Sequence, residues 1–147
     1  MSAGLARKTI RQNIRDQVLT VTGYRESPFH PQSLGRNPNN RGDKVFSVFF
    51  GSTSEDGGRQ REGLGVKISY PCVVSFLTQI KPHKALESYE EALDGEEQII
   101  RAIINPSSPL YNKTQIRYNS STTAELTDTG EFQLTIINFT IQSFYTL

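Results

Sequence analysis

Apolar residues recur along this chain with two periods, and the points where the period changes mark its elements. Ile10, Ile14, Val18 and Val21 stand four, four and three apart, which predicts a helix over residues 3–22 with a single apolar stripe. Arg7, Arg11 and Arg15 form a second series, four apart, along its flank. Residues 44–50, KVFSVFF, then read as a strand. From Leu64 through Val66, Ile68, Tyr70, Cys72, Val74 and Phe76 the alternation is strict, so a longer strand follows. Val73 and Leu77 add apolar character to its other face. Pro71 has no N–H for a ladder and marks an edge position or a bulge. The two strands are expected to pair as a hairpin within residues 44–80. The stretch GSTSEDGGRQREGLG, residues 51–65, is then the long loop between them.

The helical period returns over residues 83–104, with Pro82 suited to a first turn. Leu86, Tyr89, Leu93, Ile100 and Ile103 share one face, read as the core face, with Ala85 and Ala92 beside it. Glu96 falls on that face too. Either Gly95 breaks the helix, or the carboxylate is held there by a partner, for which the N-terminal arginines are the candidates. Between the first helix and the first strand lies an aperiodic segment, residues 23–43, with Pro28, Pro31 and Pro38. A connection of this length calls for a reason. It is either an arm ordered against a neighbouring chain or a mobile loop. Toward the C-terminus, strands are expected within residues 115–145. A short one covers 115–119, and a hairpin of 122–126 and 131–141 closes through Asp128, Thr129 and Gly130. Phe132, Leu134 and Ile136 face one way and Ile137, Phe139 and Ile141 the other, so a bulge or a change of surroundings is expected near Asn138. Phe144 and Tyr145 are too apolar for a casual tail. The order predicts an α+β fold. A single antiparallel or mixed β-sheet of about 4–5 strands carries two main helices on one face, with long loops.

Composition narrows the function classes. The 147 residues suit a single domain, without internal repeats, and the 35% hydrophobic content suits a core with long polar connections. Sixteen Lys and Arg face fifteen Asp and Glu, so any nucleic-acid contact is expected to be local. The N-terminus lacks the apolar run of a signal peptide, and no stretch approaches the ~18 apolar residues of a membrane span. Sequons at Asn112, Asn119 and Asn138 are then read as chance, and Arg41-Gly42-Asp43 as a turn before a strand. Cys72 alone forms no disulfide within the chain and reads as a buried, inert thiol. With His30 and His83 it makes neither a zinc site nor a convincing nucleophile. The glycine-rich stretch leads into a strand and lacks the Lys-Ser or Lys-Thr of a phosphate loop, the strand-to-helix crossing of a dinucleotide site and the oxygen spacing of a calcium loop. Glu90, Glu91, Asp94, Glu96 and Glu97 spread around a helix axis and do not converge as a nuclease metal site would. No enzyme, metal site or cofactor is expected.

The layout as a whole carries a resemblance. An N-terminal helix and an irregular loop lead to two strands joined by a glycine-rich stretch. Then follow YPCVVSFLTQIKP, the acidic helix ESYEEALDGEEQIIRAIIN and a closing hairpin TGEFQLTIINFTIQSFYTL. Over nearly its full length the chain resembles the tail terminator, or tail completion, proteins of tailed bacteriophages, a family recognised by layout more than by invariant residues. The resemblance implies a structural virion protein, assembled in the host cytoplasm as a homo-oligomeric ring of six. Such a ring caps the tail tube, stops its polymerisation and joins the tail to the head completion or neck protein. Its partners would be the tube protein, the neck protein, a sheath protein where the tail is contractile, and double-stranded DNA passing through the lumen without sequence specificity; no membrane is involved. The subunit interface is expected to pair Arg7, Arg11 and Arg15 with Glu90, Glu91, Glu96 and Glu97, although either set also reads as a solvated face. Ser54, Glu55, Asp56, Arg59, Arg61 and Glu62 would project toward the tube or lumen on a bending tip, or form a plain loop. Two alternatives remain: a head completion or neck connector protein, and a nucleic-acid-binding or processing protein that uses the arginines on phosphates.

Overall fold

The computed structural model describes residues 6–36, 39–59, 65–105 and 115–146. Helix α1 (Arg7–Leu19) is followed by β1 (Arg25–Glu26), a single 3-10 turn (Pro31–Ser33), β2 (Val45–Phe50), β3 (Ser54–Arg59) and β4 (Gly65–Gln79). Helix α2 (Ala85–Ile103) and strands β5 (Gln115–Leu126) and β6 (Phe132–Thr146) complete the order. The strands form one open sheet in the order β1-β2-β4-β6-β5, with β3 beside β4 where β2 has ended. Only β1 and β2 run parallel. The fold is α+β with a mixed sheet of six strands. Two of the six, β1 and β3, lie in segments read as connections.

The spine is β4 with β6, paired without interruption from Gly65 opposite Thr146 to Gln79 opposite Phe132. One face of this pair carries Ile68, Tyr70, Cys72, Val74, Phe76, Ile137, Phe139 and Ile141, all buried. Both helices cover that face. Ile10, Ile14 and Val18 of α1 are fully buried against it, as the four-residue spacing predicts, together with Phe46 and Val48 of β2. Helix α1 stops at Leu19, short of the expected residue 22, where the Thr20 hydroxyl donates to the Gln17 carbonyl at 2.6 Å. Gly23 then takes a left-handed φ of 92° to turn the chain into β1.

Helix α2 departs from its expected orientation. Its buried residues are Ser88, Ala92, Gly95, Ile99 and Ile103, not the Leu86, Tyr89 and Leu93 stripe. Gly95 does not break the helix. A Cβ there would collide with the Tyr24 hydroxyl and crowd Cζ at 3.2 Å. Tyr24 in turn meets Phe76 edge-on, ring centroids 5.4 Å apart. The small side chains let the helix lie close to the sheet, and that close approach outweighs the greater apolar area of the Leu and Tyr stripe.

Of the segment offered as an arm on a neighbour or a mobile loop, residues 23–36 and 39–43 fold back on the chain's own sheet. Leu34 packs with Val45 and Leu77, beside Phe132 and Leu134, on the face opposite the helices. Asn40 is the anchor: its Oδ1 accepts from Ser27 Oγ at 2.6 Å and its Nδ2 donates to Ser33 Oγ at 2.8 Å. Arg41 donates to the Gly35 carbonyl and to Asp128, and Asp43 Oδ1 accepts from the Gln79 N–H. The Arg-Gly-Asp triplet is therefore a strut of the fold, next to the start of β2. This covering segment is also the change of surroundings expected near Asn138. Strand β6 runs straight through that point, and the bulges fall in β5, between Tyr118 and Ser120 and between Thr122 and Glu125. The two short strands expected over 115–126 are thus one bulged strand. Asn37, Pro38, Asn112, Pro106 and Pro109 lie outside the described residues.

Substituting Gly95→Ala should lower stability by about 2 kcal/mol through overpacking against Tyr24. Tyr24→Phe in the same chain, by removing the colliding oxygen, should recover about half of that; urea melts of the three variants and the parent test it.

Candidate interaction surfaces

Two arginines of the basic series on α1, Arg7 and Arg11, are committed inside the chain. Arg7 lies over the Tyr70 ring at 4.5 Å and near Phe50 at 5.6 Å, and its Nη2 donates to the Gly51 carbonyl at 3.2 Å. The reason is Pro71. Between Phe50 opposite Cys72 and Ser54 opposite Ser69, three residues of the outer strands face two of β4. At this seam Gly51 donates its N–H to the Pro71 carbonyl at 2.9 Å, but proline has no N–H to return. The Arg7 guanidinium supplies the missing donor. Gly51 itself is required, since a Cβ would strike the Pro71 ring. The irregularity expected at Pro71 is present, but in a strand paired on both sides. Arg11 donates from Nε to the Val48 carbonyl at 3.0 Å and from Nη2 to Glu26 at 2.7 Å. Arg15 meets Asp16 at 3.0 Å.

On α2, Glu91 lies 3.7 Å from Lys81, Asp94 accepts from Gln98 at 2.9 Å, and Glu97 pairs with Arg101 at 2.5 Å. Glu96 accepts from the Thr123 hydroxyl at 2.6 Å. Its partner is thus on β5 and is not an N-terminal arginine. Glu87 and Glu90 are exposed and, among the described residues, without an ion-pair partner. Within one chain the structure does not join the α1 arginines to the α2 carboxylates.

Strands β2 and β4 pair antiparallel as the hairpin reading expects, but within the connection residues 54–59 are strand and not loop. Ser54, Glu55, Asp56 and Arg59 stand on β3, an edge strand whose Ser54 and Glu55 pair with Ser69 and Ile68. Arg61 and Glu62 lie outside the described residues.

Two surfaces emerge that the pattern reading missed. The outer side of α2 leaves Leu86 71%, Tyr89 43% and Leu93 40% exposed. Leu86, Glu90, Leu93 and Glu97 recur four, three and four apart, so leucines and carboxylates alternate along one strip. On the opposite side of the sheet, beyond the covering segment, a cleft of about 280 Å³ is lined by Phe49, Val73, Leu134, Ile136, Asn138 and Arg36, among others. These apolar residues are only half-buried, apart from what Leu34 and Pro31 cover. Arg36 at this cleft and Arg117 on β5, opposite Thr140, are exposed and have no ion-pair partner among the described residues. A signal for the first surface was present: Ser88, Ala92, Gly95 and Ile99, at spacings of four, three and four, mark a close-packing stripe as clearly as the leucines mark an apolar one.

Cys72 sits fully buried on the helix-covered face, and burial pushes its thiol far above the ordinary range, with nearby Arg11 pulling weakly the other way. His30 accepts from the Gln32 N–H and lies against Phe49 on the other face. Among the described residues no group of three or more His, Cys, Asp or Glu side chains is placed to hold a metal ion, and no helix is long and apolar enough to cross a membrane. Compared with models of known protein families and with curated protein sequences, the chain matches none.

Arg7→Ala should destabilise the chain by about 2 kcal/mol, since it removes a charged donor from a part-buried carbonyl and the cation from the Tyr70 ring. Arg7→Lys should rescue only part of it, because a lysine cannot stack flat on Tyr70 and reach Gly51 together. A double-mutant cycle with Pro71→Ala, which restores the N–H, should show coupling between the two positions. A thiol reagent should label Cys72 only as fast as the protein unfolds, since neither access nor thiolate is available in the native state.

Proposed function

We propose that this chain is the subunit of a ring that acts as a phage tail terminator: it caps the tail tube, halts its growth and joins the tail to the neck, within the virion. The observation that carries the assembly reading is the outer side of α2. Three of the eight large apolar side chains exposed among the described residues, Leu86, Tyr89 and Leu93, stand together there, beside Glu87 and Glu90, which have no ion-pair partner among the described residues. Contiguous exposed apolar surface with a polar rim marks a protein contact. The particular assembly comes from the layout resemblance, which extends over nearly the whole chain. The nearly balanced charge suits a lumen through which DNA slides without being held. In this reading the β3 edge and the return to β4, residues 51–65, face the tube or the lumen, and the tube protein, the neck protein and, on a contractile tail, the sheath protein are the partners.

The test begins with mass across concentration, by light scattering or native mass spectrometry, followed by addition of isolated tail tubes. A closed ring, expected to hold six copies, and tubes capped at their ends are the anticipated results. A chain that stays monomeric, ignores tube ends and binds duplex DNA with a steep salt dependence overturns the reading in favour of a nucleic-acid protein.

A further inference from the structure

Resting on the ring reading above, we propose which surfaces meet: the outer side of α2 in one copy seats against the helix-free side of the sheet in the next. Apolar character and charge both favour this occupant. The α2 strip offers Leu86 and Leu93 with the unpaired carboxylates of Glu87 and Glu90. The cleft offers half-buried Phe49, Val73 and Ile136, with the guanidinium of Arg36 on its lining and that of Arg117 further along the same side, opposite Thr140; neither has an ion-pair partner among the described residues. Apolar therefore meets apolar, and each unpaired charge finds an opposite one, the pattern that aligns partners and sets register. The main like-signed group for the α2 strip on that side is Glu125, opposite Leu134 on the β5 edge.

The two surfaces lie on opposite sides of one sheet. A contact between them is heterologous, so every copy uses both surfaces and the chain of contacts must close or continue. Arg7 and Arg11 take no part in this interface. They are held by Gly51, Val48 and Glu26, and drawing them out would open the fold.

Charge reversal and cross-linking test the assignment. Glu90→Lys alone and Arg36→Glu alone should each weaken association about tenfold, as for a charge at an interface margin. Both reversals in one chain should restore most of it, because each contact then pairs a new lysine with a new glutamate. Equal affinity of both single variants and the parent overturns the proposal. Leu93→Cys and Ile136→Cys chains, mixed and oxidised, should give a mixed covalent dimer, while neither alone should cross-link; buried Cys72 does not compete. Cross-linking of Leu93→Cys with itself, or no mixed dimer at the highest soluble concentration, overturns the proposal. Rings or capped tubes that form without the mixed cross-link leave the terminator reading standing and remove this one alone.

Discussion

Gly95 leaves room for the Tyr24 hydroxyl against the axis of α2, and that contact fixes how the helix is turned on the sheet. A helix on a sheet can bury its largest side chains at a distance or its smallest ones closely. Here Ser88, Ala92 and Gly95 take the inner line, with Ile99 and Ile103 filling the lower half. Tyr24 then reaches Phe76 in the middle of the core. Everything on the outer side follows geometrically. Leu86 and Leu93 cannot face both inward and outward, so the surface that most resembles a core is the one presented to solvent. Burial of the Tyr24 hydroxyl, with Asp43, Asp94 and Glu91 around it, pushes its pKa far up and keeps it neutral at the centre of this arrangement.

Much of the architecture was legible because it rests on period. Ile10, Ile14 and Val18 bury as their spacing requires, and the alternation from Val66 to Phe76 reports a strand with one covered face. The closing hairpin turned where Asp128, Thr129 and Gly130 stand, with Gly130 at a left-handed φ of 70°. What escaped was set by contacts between segments distant in sequence. Strand β1 is two residues long and exists because Arg25 and Ser27 donate to the Lys44 and Phe46 carbonyls. Strand β3 is rich in glycine and charge, so nothing in its composition suggests a strand. It is held by the length of β4, which outruns β2 and leaves half its edge to be paired.

The interaction surfaces were less legible than the fold for the same reason. Charge runs are visible in a sequence, but whether a charge is free depends on who stands beside it. Arg11 and Glu26 lie in different elements and neutralise each other, whereas Arg36 and Glu90 meet no opposite charge among the described residues. The segment around Asn40 behaves likewise. Its polar side chains look like those of a loop, yet the Ser27, Asn40 and Ser33 bonds close it into a lid over Leu34. That lid covers one end of the helix-free face and leaves the other end open.

The seam at Pro71 ties two parts of the molecule into one cooperative unit. The carbonyl of Gly51 has no backbone partner across the sheet, and its donor comes from the first turn of α1. The helix therefore closes the sheet as well as covering it. Detachment of α1 strips a ladder position of its hydrogen bond, and fraying of the seam releases the arginine that helps hold the helix. Slow hydrogen exchange in the outer strands and in α1 should share a single opening free energy, so that the first turn of α1 belongs to the most stable core and not to a fraying helix end.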